Sequence, residues 1–190
     1  MGAARDGGFE AVDLLVADEN VEPSLLAEVS TLGHPPRVIG VFRQRERSAT
    51  AAVALALWRV SDPGNVGTLI RSADAFGAAV MLSEGCADAY GPKALRAAMG
   101  STFRVPLLDF DLPQDAVALV ASGGEPIQRL AAHSTFVLGS ERDGLPDEIL
   151  ERCAAKATIP VQGVDSLNVA MAGTIALYER AIHTVSSPPA

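Results

Sequence analysis

The chain has 190 residues, 48% of them hydrophobic, and a formal net charge of −8. That length suits one ordinary domain, with or without a small appendage, and the apolar fraction is enough for a proper core. The acidic total argues against a general polyanion binder, and no uninterrupted apolar run of about 18 residues is present to span a membrane.

In chain order, "VDLLVAD" (12–18) reads as a strand, "EPSLLAEVSTL" (22–32) as a helix and "RVIGVFRQ" (37–44) as a second strand. The polar-to-alanine stretch 45–52 reads as a linker. A continuous apolar run at 52–60 is the pattern of a strand buried on both faces. "SDPGN" then turns the chain into a helix over 66–78, closed by Gly77. A strand at 79–84 and a short helix at 91–101 follow, with Pro92 suited to the first turn of that helix. Strands are expected at 102–108 and 116–122, a weak helix at 125–131 and a strong strand at 135–140. A helix at 146–153, a strand end at 157–160 and a final helix over 166–184 complete the reading. In that final helix Leu167, Met171, Thr174, Tyr178 and Ile182 recur at helical spacing and are expected to bury one face. Alternating strands and helices predict an α/β fold with a mainly parallel sheet.

Cys86 and Cys153, and the histidines His34, His133 and His183, show neither disulfide nor ligand spacing, so no metal is expected. The N-terminal "MGAARDGGFEA" lacks an apolar signal core, and a cytoplasmic protein is expected. Charge is uneven: 37–47 is locally basic, and 91–104 carries Lys93, Arg96 and Arg104 without an acidic residue.

In an open α/β sheet, ligands bind where strand C-termini meet loops. Three such loops combine glycine with polar residues: "SDPGNVGTLIR" after the 52–60 strand, "LGSERDGLP" after 135–139 and "IPVQGVDSLN" after 157–160. The dinucleotide, P-loop and nucleophile-elbow signatures are all missing from the sequence. Taken singly, each loop has a structural account. Asp62 and Asn65 suit a turn and a cap, Arg71 a surface helix, Glu141 a solvated position, and Asp165, Ser166 or Asn168 the cap of the last helix.

Together and in order, "DPGNVGTLIRSADAFGA" (62–78), "FVLGSERDGLP" (136–146) and "IPVQGVDSLNVAMAGTIALYE" (159–179) resemble the three motifs of the SpoU/TrmH family of RNA ribose methyltransferases, within the SPOUT class. The intervening "GPKALRAAMGSTFRVPL" (91–107) resembles the family's usual run between the first two motifs. The resemblance covers about residues 52–184. It departs at Ala98, where serine is usual, and at Arg142 and Asp143, where small or uncharged residues are usual.

The resemblance implies a SPOUT-type parallel sheet flanked by helices, with a C-terminal deep trefoil knot, and a methyltransferase domain over 51–190. Residues 1–50 resemble only the later part of the small RNA-binding domain that many members carry, plus a linker. Also implied are S-adenosylmethionine as cofactor, a homodimer that completes the site, and an RNA substrate, rRNA first and tRNA second. The alternative is a non-catalytic RNA-binding or assembly protein that keeps the fold. Matched residue by residue, the resemblance implies catalytic roles for Asn65, Arg71, Glu141, Ser166 and Asn168. It implies cofactor contacts at Leu138, Gly139, Ser140, Gly144, Ile159, Val161 and Leu167. The basic runs then become candidate RNA contacts, through Arg43, Arg45, Lys93 and Arg96.

Overall fold

The computed structural model describes residues 2–30, 34–44 and 52–186. The chain divides into two compact units, residues 1–46 and 47–190. Arg45 lies outside the described residues.

In the first unit, helix α1 (Gly2–Asp6) precedes strand β1 (Ala11–Val16), helix α2 (Pro23–Val29) and strand β2 (Val38–Phe42). β1 and β2 pair antiparallel, with Leu14 opposite Gly40 and Val16 opposite Val38. The expected strand–helix–strand order is present; α1 has no apolar periodicity to announce it.

The second unit is built on seven parallel strands. They are β3 (Ala54–Leu57), β4 (Ala79–Leu82), β5 (Leu107–Asp109), β6 (Val117–Leu119), β7 (Glu125–Pro126), β8 (Thr135–Leu138) and β9 (Ala155–Thr158), in the order β5-β4-β3-β8-β6-β9-β7. Helices α3 (Pro63–Phe76), α4 (Pro92–Ala98), α5 (Asp147–Leu150) and α6 (Val169–Ser186) connect or cover them. Consecutive strands β3, β4 and β5 run to one side, and the later strands lie on the other side of β3. The sheet's order therefore reverses between β3 and β8, the place where such sheets open a crevice.

Both faces of the sheet are covered, which is why β3 lies in a continuous apolar run and β8 is buried along its whole length. Leu55, Leu57, Phe136 and Leu138 pack with Val66, Leu69 and Ile70 of α3 and Leu177 of α6. Ala56 and Val137 face the other way, onto Ile149 of α5 and the rings of Trp58 and Phe110.

Several boundaries differ from the sequence reading, each for a local reason. The strand expected at 102–108 is a 3₁₀ turn at Ser101–Phe103 followed by β5. There Ser101 Oγ and Arg104 are both drawn onto Asp74 of α3. The helix expected at 125–131 is the short strand β7 and a 3₁₀ turn at Ile127–Arg129; Pro126 supplies no N–H and Ile127 is buried in the core. α3 starts three residues earlier than expected, because Asp62 caps it and Pro63 fits its first turn.

The stripe expected to be buried on α6 is also corrected. Met171, Tyr178 and Ile182 are exposed in the chain, whereas Ala170, Gly173, Ala176 and Leu177 face inward. Gly173 sits against α3, where a Cβ would lie 2.4 Å from Leu69 Cδ2, and it shares the inward face with Ala170 and Ala176. Among the described residues, no helix is long and apolar enough to cross a membrane.

Candidate functional site at the strand C-termini

The loops that follow β3, β8 and β9 converge at the switch point, and hydrogen bonds join them. Asp62 ends the first loop and caps α3: its Oδ1 accepts the N–H of Gly64 at 2.6 Å and of Asn65 at 3.0 Å. Asn65 Nδ2 donates to Glu141 Oε1 in the second loop at 2.9 Å, and the same oxygen faces the Asp62 N–H at 3.4 Å. Asn65 Oδ1 accepts from Asn168 Nδ2 in the third loop at 3.1 Å. Asn168 in turn caps α6, its Oδ1 accepting the N–H of Ala170 at 2.9 Å and of Met171 at 3.4 Å. Three segments far apart in sequence are thereby fixed through one asparagine amide.

The question of which residue caps the last helix is settled by this geometry. The helix starts at Val169, not at 166, and Asn168 is the residue that satisfies its first amides. Ser166 lies in the loop before it and faces the neighbouring cleft.

That cleft has a volume of about 540 Å³. It lies beyond the ends of β6, β8 and β9. All seven residues expected to contact a cofactor line it: Leu138, Gly139, Ser140, Gly144, Ile159, Val161 and Leu167. Glu141, Ser166 and Asn168 line it as well. The β8 loop is folded tightly on itself, with Ser140 and Gly144 exchanging two backbone hydrogen bonds of 3.1 Å. A Cβ at Gly139 would sit 2.2 Å from the Gly144 carbonyl carbon, and Gly144 has φ +68. Both positions therefore need glycine.

The sequence reading missed one wall. Leu119, Val120 and Ala121, at the end of β6, line the cleft beside Ala157 of β9 and Ala172 of α6. The only signal was an apolar strand running into "SGG", which carries no chemistry by itself. Arg142 and Asp143, the departures from the second motif, also line the cleft.

Asn65 stands behind the cleft wall and reaches it through its two partners. Arg71 does not line the cleft; it lies further along α3 on an exposed face. Of the candidate RNA contacts, Arg43 pairs with Glu10 within the first unit, Nε to Oε2 at 3.0 Å. Lys93 pairs with Asp62 at 3.1 Å, and Arg96 is exposed on α4.

Electrostatically, desolvation at the cleft wall works to raise the Glu141 carboxyl, but the Asn65 amide and nearby backbone N–H groups outweigh it. The carboxyl is held below its ordinary 4.5 and stays ionised at neutral pH. Asp62 is likewise held below 3.8, first by the Asn65 N–H and then by the Lys93 ammonium. Among the described residues no three His, Cys, Asp or Glu side chains come together as a metal site would require. The chemistry on offer is therefore alignment by neutral amides and hydroxyls beside an apolar cleft with ionised groups on its rim.

The chain is similar to known proteins in sequence and in fold. The chain is 35% identical to the 23S rRNA (guanosine(2553)-2′-O)-methyltransferase RlmP of Bacillus subtilis, over 87% of this chain and 79% of that protein. The AdoMet-bound rRNA methyltransferase of Sinorhizobium meliloti superposes with a TM-score of 0.82 at 28% identity, covering 95% of this chain and 83% of that one. The SpoU methyltransferase AviRb of Streptomyces viridochromogenes, crystallised with AdoMet, shares the fold, with a TM-score of 0.87 at 24% identity over 98% of this chain and 88% of that one. The SpoU rRNA methylase family profile matches residues 52–178, which include all three loops and every residue of the Glu141–Asn65–Asn168 relay. The chain belongs to the SpoU rRNA methylase family.

Proposed function

We propose that this protein is an S-adenosylmethionine-dependent RNA methyltransferase acting on a ribose 2′-hydroxyl, with rRNA as its substrate. The observation that carries this reading is the relay of Glu141, Asn65 and Asn168 at the edge of the cleft. It ties all three family motifs into one place.

The cleft fits the cofactor. Its volume of about 540 Å³ falls within the range of small-molecule sites, roughly 300–1,000 Å³. Leu119, Leu138, Ile159 and Leu167 offer apolar walls for an adenine ring, and the glycine-bearing β8 loop brings backbone close to a ligand. Arg142, Glu141 and Asp143 on the rim suit a molecule that carries both a carboxylate and cationic groups. When bound, S-adenosylmethionine supplies an electrophilic methyl group on a sulfonium.

The residues of this chain then have to align the ribose oxygen and see its proton removed. With the cofactor bound, what these residues would contribute is alignment of the 2′-oxygen with the methyl group, and small errors in that alignment would be felt in rate. Ser166 and Asn168 can orient a hydroxyl without adding charge. Glu141, held ionised, keeps the Asn65 amide turned with its oxygen toward Asn168. Arg71 is not the base in this scheme: a guanidinium has a pKa above about 12 and no acceptor lone pair. Its role here is to hold an RNA phosphate and stabilise charge developing on the oxygen. The proton leaves through that phosphate, a water or a neighbouring polar group.

A homodimer is part of the proposal. Arg71 lies away from the cleft of its own chain, and α6 exposes Met171, Tyr178, Ile182 and Val185 along one side. A second copy covering that stripe brings an Arg71 toward a cleft. A deep trefoil knot through the β8 and β9 loops is proposed on the strength of family membership. Residues 1–46 are assigned a part in target choice.

The test is mass spectrometry of rRNA and tRNA incubated with the protein and methyl-labelled S-adenosylmethionine. Label on ribose 2′-oxygens of rRNA is expected. Label confined to bases would refute the reading, and cofactor binding by calorimetry without any transfer would favour a non-catalytic RNA-binding protein.

A further inference from the structure

Lys93, expected from its basic surroundings to meet RNA, is engaged inside its own chain. Its Nζ stands 3.1 Å from Asp62 Oδ2, while Oδ1 of the same carboxylate holds the N–H groups of Gly64 and Asn65. One carboxylate thus grips both the lysine and the backbone on which Asn65 is mounted. The backbone N–H of Asp62 faces Glu141 Oε1 at 3.4 Å, so the Glu141 side chain touches the same turn from the second loop.

Packing delivers the lysine to that position. At Gly67 of α3 a Cβ would lie 2.3 Å from the Ala94 carbonyl oxygen, so only a glycine lets α4 approach this closely. Lys93 is the residue next to Ala94. Gly64 leaves room for the contact itself, since a Cβ there would meet Asp62 Oδ1 at 2.7 Å and Lys93 Cε at 3.8 Å.

We infer that Lys93 is a positioning residue of the methyl-transfer site: a charge clamp on Asp62 that sets the Asn65 backbone, and not a contact to RNA phosphate. The inference rests on the methyltransferase reading above. An ion pair this exposed contributes little to global stability, so its effect is local. Small shifts of an aligning group are felt in rate. A lysine committed to Asp62 displaces no counterion from RNA and leaves the salt dependence of RNA binding unchanged.

Lys93→Met and Lys93→Arg are compared with the wild-type full chain in three measurements: methylation kinetics on an rRNA transcript, RNA affinity across a salt series, and carboxyl NMR titration of Asp62. The Met variant is expected to lose about fivefold in kcat, with KM for RNA and the salt slope unchanged. The Arg variant, keeping a cation of similar reach, is expected to recover most of the rate. Asp62 is expected to titrate at higher pH in the Met variant, because one of the groups holding it below 3.8 is gone. A salt slope reduced by about 0.7, alone or together with lost kcat, would mean a phosphate contact and overturns the inference. An unchanged kcat, or an Asp62 titration indifferent to residue 93, overturns it too. If the wild type methylates no RNA, the methyltransferase reading fails, while the Asp62 titration still reports on the clamp.

Discussion

Asn65 has both ends of its amide engaged, its nitrogen by Glu141 and its oxygen by Asn168. Removing it leaves the cleft lining intact but unties the three loops. Asn65→Ala is therefore expected to lower kcat by about two orders of magnitude, with S-adenosylmethionine affinity within about threefold of wild type. Steady-state kinetics alongside calorimetry checks the split; an equal loss in both would place Asn65 in the cofactor site instead. Asp74 makes a contrasting case, structural and pH-dependent. It accepts from Arg104 Nε at 3.0 Å and from Ser101 Oγ at 2.7 Å, and Arg104 foremost holds its carboxyl below the ordinary 3.8. A carboxyl lowered in the folded state contributes stability above its unfolded pKa, and loses it as pH falls through the folded value. Asp74→Asn should thus melt at lower temperature than wild type at pH 7, and the gap should close as pH drops below 3.8. Melting curves at both ends of that window are the measurement.

Helix α6 begins where the site needs it to, because its cap is a site residue. Asn168 does two separable jobs: its oxygen satisfies the N–H groups of Ala170 and Met171, and its nitrogen donates to Asn65. Asn168→Asp keeps a capping oxygen and loses the donor, whereas Asn168→Ala loses both. The Asp variant is expected to melt close to wild type yet transfer methyl groups at least about tenfold more slowly, while the Ala variant loses about 1 kcal/mol of stability as well. Equal melting temperatures for the two variants would deny the capping role. At the same scale, α3 is a shared rail: α6 sets its Gly173 against Leu69 of α3, and α4 lies against Gly67. Arg71 lies on the exposed side of α3.

For the molecule as a whole, the exposed side of α6 is the test of assembly. Met171 is 61% exposed and Val185 84%, an unusual density of large apolar surface on one helix. In the double variant Tyr178→Asp, Ile182→Asp, sedimentation should report a monomer. Methyl transfer is expected to fall by more than about tenfold if Arg71 acts across the interface, with cofactor affinity retained because the cleft is built from one chain. A monomeric variant with full activity would rule out a shared site.

Much of the protein was legible in the chain because its signals are local. The continuous apolar run at 52–60 and the strong strand signal at 135–140 marked two strands of the sheet, Gly77 closed α3, and the polar loops after three strands marked the switch point. The family's motifs were legible for the same reason, since each is a short run of sequence. What the sequence could not express is direction. The stripe of Met171, Tyr178 and Ile182 has the same period as a core face, yet it is Ala170, Gly173, Ala176 and Leu177 that pack inward. Nor could spacing say that Asn168 rather than Ser166 caps α6, that the end of β6 forms a wall of the cleft, or that Lys93 turns back onto Asp62. Composition and periodicity determined the layers and the loops. The partners of each polar atom were decided only when residues 76 and 103 positions apart were brought within hydrogen-bonding reach, because such bonds depend on distance in space and not along the chain.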